Sequence, residues 1–196
     1  HCPASRQSCA PVRSVVQPML GVMTVGGEVA PDSADAFLSR WADLRQGDEK
    51  LLLDSAHLYM DGNSSRLVGN WLQSQRGRLA TVMVTTKANP WVNGLWVKHG
   101  LSAERIRFQL EEELQRLQRS SVDVLYLHAP DPTTPLEDSI SALVELIMQG
   151  KVKAWGLSNY PAWQVAQAAE ICRQKGWPGP AVYQGMYNAL TRKVEE

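Results

Sequence analysis

The sequence predicts an α/β fold with a parallel sheet, and within that class a (β/α)8 barrel of the TIM type. Apolar runs of strand length alternate with amphipathic helical stretches, and successive strands begin roughly thirty to forty residues apart, the size of one strand–helix–strand unit. Polar residues stand at the ends of several strands, as at a barrel mouth, and no Gly-x-Gly-x-x-Gly follows the first strand, which argues against a Rossmann sheet. About six βα units are visible, so we expect an incomplete barrel.

Six short apolar runs, bounded by turn residues, predict the strands. They cover residues 15–25, 50–54, 81–86, 122–127, 153–157 and 181–184. The first run ends at Gly26-Gly27, and glycine readily allows a chain to turn. These runs are far shorter than the roughly 20 residues that a membrane span needs, so we expect no membrane partner.

Five stretches with apolar residues at helical spacing predict the helices between the strands. They cover about 31–44, 64–74, 102–117, 136–148 and 162–175. Pro31-Asp32-Ser33 opens the first helix, and the turn Asp61-Gly62-Asn63 precedes the second. Gly150 and Gly176 follow the last two, where glycine is a common helix stop.

The third helix has the clearest signals. Ser102 is its predicted N-cap, with Arg105 rather than glutamate three positions later, so a full capping box is absent. An apolar stripe faces the core and a charged face lies beside it. The stripe consists of Ile106, Leu110, Leu114 and Leu117, and the charged face of Glu111, Glu112, Glu113 and Arg116.

Composition limits the partners. The chain has 196 residues, 44% of them hydrophobic, and its 20 basic and 20 acidic residues give no net charge. We therefore predict no nucleic-acid partner. The three cysteines, Cys2, Cys9 and Cys172, have neither metal-site spacing nor an even-numbered disulfide pattern, so we expect no metal and a reducing, cytoplasmic location.

Two regions are expected along the chain. Residues 1–13, rich in Ser, Arg and Pro, are predicted to be an unstructured leader, and residues 14–196 to form the incomplete barrel. The first residue is His rather than Met, and residues 191–196 resemble the beginning of a helix. We therefore expect the chain to be cut at both ends.

Four polar residues are the strongest functional candidates: Asp54, Tyr59, Lys87 and His128. Reduction of a carbonyl by hydride requires a proton donor, and a phenol with a pKa near 10 donates reluctantly at neutral pH. A neighbouring ammonium would lower that pKa, a carboxylate would hold the ammonium in place, and an imidazole would orient the substrate oxygen. Taken singly, each residue is more often a cap, a solvated side chain or a structural histidine. Spacing alone leaves both interpretations open.

The motifs around these residues resemble the aldo-keto reductase superfamily, and specifically its aflatoxin aldehyde reductase branch. The similarity extends from about residue 18 to 196. The matching stretches are Leu20-Gly21-Val22-Met23, Asp54-Ser55-Ala56-His57-Leu58-Tyr59, Thr86-Lys87-Ala88-Asn89-Pro90-Trp91, Tyr126-Leu127-His128-Ala129-Pro130-Asp131, Gly156-Leu157-Ser158-Asn159-Tyr160 and Tyr183-Gln184-Gly185-Met186-Tyr187-Asn188.

The resemblance implies a (β/α)8 barrel that uses NADPH, without metal, to reduce aldehydes and ketones, and usually a homodimer. It assigns Asp54, Tyr59, Lys87 and His128 to the catalytic tetrad. It further assigns Ser158, Asn159 and Gln184 to the nicotinamide carboxamide, Met23 to the neighbourhood of the cofactor and Trp91 to the substrate pocket wall. The family's adenosine phosphate contacts come from strands seven and eight, beyond the six visible here, so a preference for NADPH over NADH comes from the resemblance alone.

The chain departs from the family pattern in three places. Ser55 stands where the family commonly has threonine, and Ser65 stands where a glutamate often follows the tyrosine-containing turn. We expect the second change to remove one supporting contact without altering the proton chemistry. Residues 92–98 look like an insertion that reshapes the substrate loop.

Three functions are consistent with these residues. The first is an NADPH-dependent reductase of dialdehydes, semialdehydes and aromatic aldehydes, with Tyr59 as general acid. The second is a nucleotide-binding regulatory subunit that resembles the potassium-channel β subunits. The third is a truncated, non-catalytic paralogue, whose open sheet edges and apolar helix surface would favour aggregation.

Overall fold

A computed structural model describes residues 17–45, 50–76, 82–92 and 94–192. Its strands, in chain order, are β1 (Leu20–Gly21), β2 (Leu51–Asp54), β3 (Val82–Ala88), β4 (Trp91–Val92), β5 (Leu95–Trp96), β6 (Val122–Leu127), β7 (Val152–Ser158) and β8 (Val182–Gln184). Its α-helices are α1 (Ala34–Leu44), α2 (Asn63–Ser74), α3 (Ala103–Leu117), α4 (Leu136–Met148) and α5 (Ala162–Lys175). Short 3-10 turns at Pro31–Ser33 and Tyr59–Gly62 precede α1 and α2.

Six of the strands form one parallel sheet in the order β1-β2-β3-β6-β7-β8, each parallel to its neighbours. The sheet is curled. Gln184 of β8 donates a hydrogen bond to Asp54 of β2 over 3.0 Å although three strands lie between them. In a flat sheet, strands four places apart would be about 19 Å from each other. The fold is therefore part of a (β/α)8 barrel, as the sequence predicts.

The core lies between this sheet and the helices that cover it. All six residues of β6 are buried, as expected for a central strand covered on both faces. The predicted stripe of α3 is buried as well, and Ser102 caps the helix by accepting a hydrogen bond from the Arg105 amide. In the part of the chain that the model describes, no helix has the length and apolarity to cross a membrane.

The predicted first strand, 15–25, is wrong in length. Residues 15 and 16 lie outside the described ranges, and β1 pairs with β2 only at Leu20 and Gly21. After Val22 the chain turns back on itself: the Val25 amide donates to the Val22 carbonyl, and Gly26 takes a φ of 93°. A turn stabilised in this way removes the following apolar residues from the sheet, although their composition suits a strand.

Two further boundaries differ from the predictions. β3 continues to Ala88, so Lys87 lies inside the strand, paired with Tyr126 of β6, rather than after its end. The insertion-like segment 92–98 contributes to a small antiparallel hairpin, β4–β5, in which Trp91 pairs with Trp96. The predicted leader, with Cys2 and Cys9, and residues 193–196 lie outside the described ranges.

Candidate active site

The four predicted catalytic residues meet at the carboxyl ends of three neighbouring strands. Asp54 is the last residue of β2, Lys87 lies near the end of β3, and His128 follows β6. Tyr59 begins the 3-10 turn after β2. Because β2, β3 and β6 are adjacent and parallel, their carboxyl ends point to the same mouth of the barrel. The sequence-based grouping of these side chains is therefore seen in the structure.

Lys87 is at the centre of the group. Its Nζ donates to both carboxylate oxygens of Asp54 and to the Ser55 carbonyl, at 2.8 Å in each case, and lies 3.3 Å from the Tyr59 hydroxyl. The side chain is only 2% exposed. A buried ammonium is tolerated when its hydrogen-bonding capacity is filled in this way. The result is a fixed positive charge beside the phenol.

Burial and the neighbouring carboxylates have opposite effects on the pKa of Lys87. Burial lowers the pKa of Lys87, whereas the carboxylates of Asp54 and Glu113 act in the opposite direction. Burial, with a smaller contribution from Asp54, raises the pKa of Tyr59 to about 12. The sequence-based expectation of a lowered phenol pKa is thus not met in this structure, because desolvation outweighs the ammonium. Tyr59 holds its proton at neutral pH.

His128 is neutral at physiological pH. Burial, followed by the positive charge of Lys87, lowers its pKa to about 4, against a weaker opposing effect of Asp54. Its ring meets that of Tyr59 edge to face, with 6.3 Å between centroids. Its Nδ1 is buried and has no hydrogen-bond partner among the residues that the model describes. A neutral imidazole carries one N–H donor and one acceptor nitrogen, so it can hydrogen-bond a polar ligand atom without carrying a charge.

Trp91 borders the site from the side of the β4–β5 hairpin. Its ring centroid lies 5.3 Å from that of His128 and 5.2 Å from that of Trp96, which packs against it edge to face. Trp91 also lines a cleft of about 590 Å³ together with Asn89 and Phe108. The hairpin therefore packs Trp96 against the predicted pocket-wall residue Trp91, a contact that the sequence did not predict.

Three of the predicted cofactor-binding residues are connected to the tetrad by hydrogen bonds. Ser158 is the buried last residue of β7, and Asn159, with a left-handed φ of 60°, donates from Nδ2 to the Ser158 hydroxyl at 3.1 Å and to the His128 carbonyl at 3.0 Å. Gln184 donates to Asp54. Amide and hydroxyl side chains of this kind can both donate and accept hydrogen bonds. Met23, two residues after β1, is 54% exposed.

Three supporting residues were missed by the sequence analysis. Thr85 donates to Asp54 Oδ1 at 2.7 Å, the Tyr126 ring centroid lies 5.8 Å from Lys87 Nζ, and Glu113 is buried behind β3. Thr85 could have been found, because residues two apart in a strand share a face and Lys87 is two positions later. Glu113 follows Ile106 by seven positions, the spacing of the apolar stripe of α3.

The chain matches the model of the aldo/keto reductase family over residues 19–196. It is 41% identical over 193 residues to aflatoxin B1 aldehyde reductase member 2 of Mus musculus, an alignment that covers 98% of this chain and 50% of the relative. It is 41% identical to aflatoxin B1 aldehyde reductase member 4 of Homo sapiens, with 90% and 51% covered. Norsolorinic acid reductase B of Aspergillus parasiticus is 33% identical, with 95% and 51% covered. The chain thus spans about half the length of these relatives.

Proposed function

Because the chain belongs to the aldo/keto reductase family, as its motifs predict, we propose that it serves the NADPH-dependent reduction of aldehydes to alcohols. The observation that carries this proposal is the position of Lys87 Nζ, held by Asp54 and 3.3 Å from the Tyr59 hydroxyl. The names of the mammalian relatives, aflatoxin B1 aldehyde reductases, support an aldehyde substrate. We include dialdehydes, semialdehydes and aromatic aldehydes in the substrate class and propose a cytoplasmic homodimer.

Tyr59 acts as the general acid in this proposal. NADPH would supply a hydride to the carbonyl carbon, and the carbonyl oxygen would then need a proton. Tyr59, protonated because its pKa is about 12, gives its hydroxyl proton to that oxygen and completes the alcohol. The phenolate that remains lies beside the Lys87 ammonium, whose charge stabilises it in a buried site. Asp54 keeps the ammonium in place throughout.

His128 and Trp91 position the substrate. The neutral His128 imidazole offers an N–H donor to the carbonyl oxygen without competing with Tyr59 as a proton source, because its pKa of about 4 leaves it without a second proton at neutral pH. Trp91, 5.3 Å from the His128 ring, provides an aromatic wall. This arrangement favours aldehydes that carry an apolar or aromatic group next to the reacting carbonyl.

Ser158, Asn159 and Gln184 would hold the nicotinamide carboxamide, with Met23 close to the cofactor. Their side-chain amides and hydroxyl lie at the ends of β7 and β8 on the side of the tetrad. The left-handed backbone at Asn159 supports this assignment, since such conformations are often kept where a ligand requires them.

The test is Tyr59→Phe in the protein expressed at its full natural length. We expect kcat for an aromatic aldehyde to fall by about 10²–10⁴-fold, the usual contribution of a general acid, with unchanged NADPH affinity by fluorescence titration. Tyr183→Phe is the matched control, because Tyr183 bonds to the Tyr160 carbonyl outside the tetrad. Retained turnover in Tyr59→Phe would refute the role of Tyr59. A native protein that binds nucleotide without turnover would favour the regulatory alternative.

A further inference from the structure

Glu113 is a buried carboxylate that the tetrad does not include. It is 1% exposed, and its Oε2 accepts hydrogen bonds from Ser65 at 2.9 Å and from Thr86 at 2.7 Å. Its Oε1 lies 3.5 Å from Nη1 of Arg116, one turn later on α3. Carboxylates are almost never fully buried unless they are paired, and two of these three partners, Ser65 and Thr86, lead toward Lys87.

Two chains of contacts join Glu113 to Lys87. Thr86, which binds Glu113, precedes Lys87 in β3, so its side chain and that of the lysine point to opposite faces of the strand. Ser65, which also binds Glu113, is 2.8 Å from the Ser55 hydroxyl, and the Ser55 carbonyl accepts from Lys87 Nζ. Glu113 therefore holds both backbone segments that surround the ammonium, from behind the sheet.

Ser65 stands where the family that the sequence resembles often has glutamate. Its hydroxyl donates a hydrogen bond to the carboxylate of Glu113. We propose that Glu113 is a positioning residue for Lys87, and that it supplies from α3 a carboxylate in place of the glutamate that the family resemblance leads one to expect at position 65. This inference rests on the proposed reductase function and assigns a further residue to the same site.

The geometry permits such an exchange. The Ser65 and Glu113 side chains are in contact, so a glutamate at 65 facing a serine at 113 would place its carboxylate in the same small space. Ser65 is in the first turn of α2, where a negative charge interacts favourably with the helix dipole. On α3, Arg116 supplies the compensating positive charge instead.

The charges around Lys87 come from several elements. Asp54 from β2, Tyr59 from the 3-10 turn, Tyr126 from β6 and His128 after β6 all face it, and Glu113 acts from α3. Of these, Asp54 and Glu113 favour the charged ammonium, against burial. Removing the charge of Glu113 should therefore release the lysine proton at lower pH. A role limited to packing would not have that effect.

The experiment compares three variants of the protein at its full natural length. Glu113→Gln keeps the shape and removes the charge, and the exchange variant Ser65→Glu/Glu113→Ser restores a carboxylate from the other helix. Glu111→Gln is the matched control, because Glu111 is on the same helix but pairs with Lys151 at the surface. Two quantities are measured against pH: kcat/KM, and the ¹³Cε chemical shift of Lys87 by NMR, which reports the protonation of its amine.

For Glu113→Gln we expect the Lys87 NMR titration curve and the alkaline decline of kcat/KM to move to lower pH, with a several-fold loss of kcat/KM above neutrality. The exchange variant should return both curves toward the native positions, and Glu111→Gln should leave them unchanged. Native curves in Glu113→Gln, or an exchange variant that folds without restoring them, would overturn the proposal. The NMR titration requires no turnover, so it tests Glu113 even if the reductase assignment fails.

Discussion

Replacement of Lys87 by methionine would leave the Asp54 carboxylate buried without its cation. Methionine has nearly the length of lysine, so the substitution removes charge and hydrogen bonds with little change in volume. The Asp54 side chain is 11% exposed, and water has little access to it. Asp54 would keep the hydrogen bonds from Thr85 and Gln184, which moderate the loss.

The loss of unfolding free energy expected for Lys87→Met follows from these contacts. Breaking a buried ion pair by removing one partner costs about 3–5 kcal/mol, and the two remaining hydrogen bonds to Asp54 place the value near 3 kcal/mol. With a urea m-value of about 2 kcal/mol/M, the unfolding midpoint should fall by about 1.5 M. The double variant Asp54→Asn/Lys87→Met should recover most of this loss, because it leaves no unpaired buried charge.

Urea unfolding of the protein at its full natural length, followed by fluorescence and circular dichroism, is the assay. The control is Lys175→Met, which breaks the 2.6 Å pair with Glu137 at a surface where both side chains are 47% exposed, and should cost less than about 1 kcal/mol. Equal costs for Lys87→Met and Lys175→Met would refute the reasoning. A double variant no more stable than Lys87→Met would also contradict it.

Two other predictions concern packing and pH. Gly69→Ala should cost about 2 kcal/mol of unfolding free energy, because its Cβ would lie 2.1 Å from the Arg116 carbonyl where α2 meets α3; Gly179→Ala, with open space around it, is the urea-unfolding control. His128 should titrate near pH 4 by NMR, against about 6.5 when unfolded, so its contribution to stability is present above pH 6.5 and is lost as the pH falls toward 4. A His128 midpoint above 6 would contradict the second prediction.

The grouping of the tetrad side chains at one mouth of the barrel could be predicted because strand ends are local signals, whereas their catalytic roles were assigned by the family resemblance. Asp54 and His128 end apolar runs, and the parallel order of the strands brings such ends together. The length of β1 could not be predicted in this way. Hydrogen bonds of the turn after Val22 compete with strand pairing there, and apolar composition does not reveal which of the two prevails.

Glu113 was not predicted as a residue of the site for a different reason. It stands in a run of three glutamates, and the sequence analysis placed all three on the charged face of α3. The structure buries Glu113 with Ile106 and Leu110, although Glu111 is exposed and pairs with Lys151. Its partners Ser65 and Thr86 are 48 and 27 positions away, and only tertiary structure brings them to it. The prediction for Glu113 was wrong because it followed the residue type, a glutamate, and not the position of the residue on the buried face of α3.

The hydrogen bond between Gln184 and Asp54 also sets an order of assembly as the chain emerges from the ribosome. Lys87 is 33 positions from Asp54, whereas Gln184 is 130 positions away and reaches it only when β3, β6 and β7 have paired in turn. Long-range contacts of this kind form slowly. The Lys87–Asp54 pair can therefore form before Gln184 has been synthesised, and Gln184 adds its hydrogen bond to Asp54 only when the curled sheet extends as far as β8.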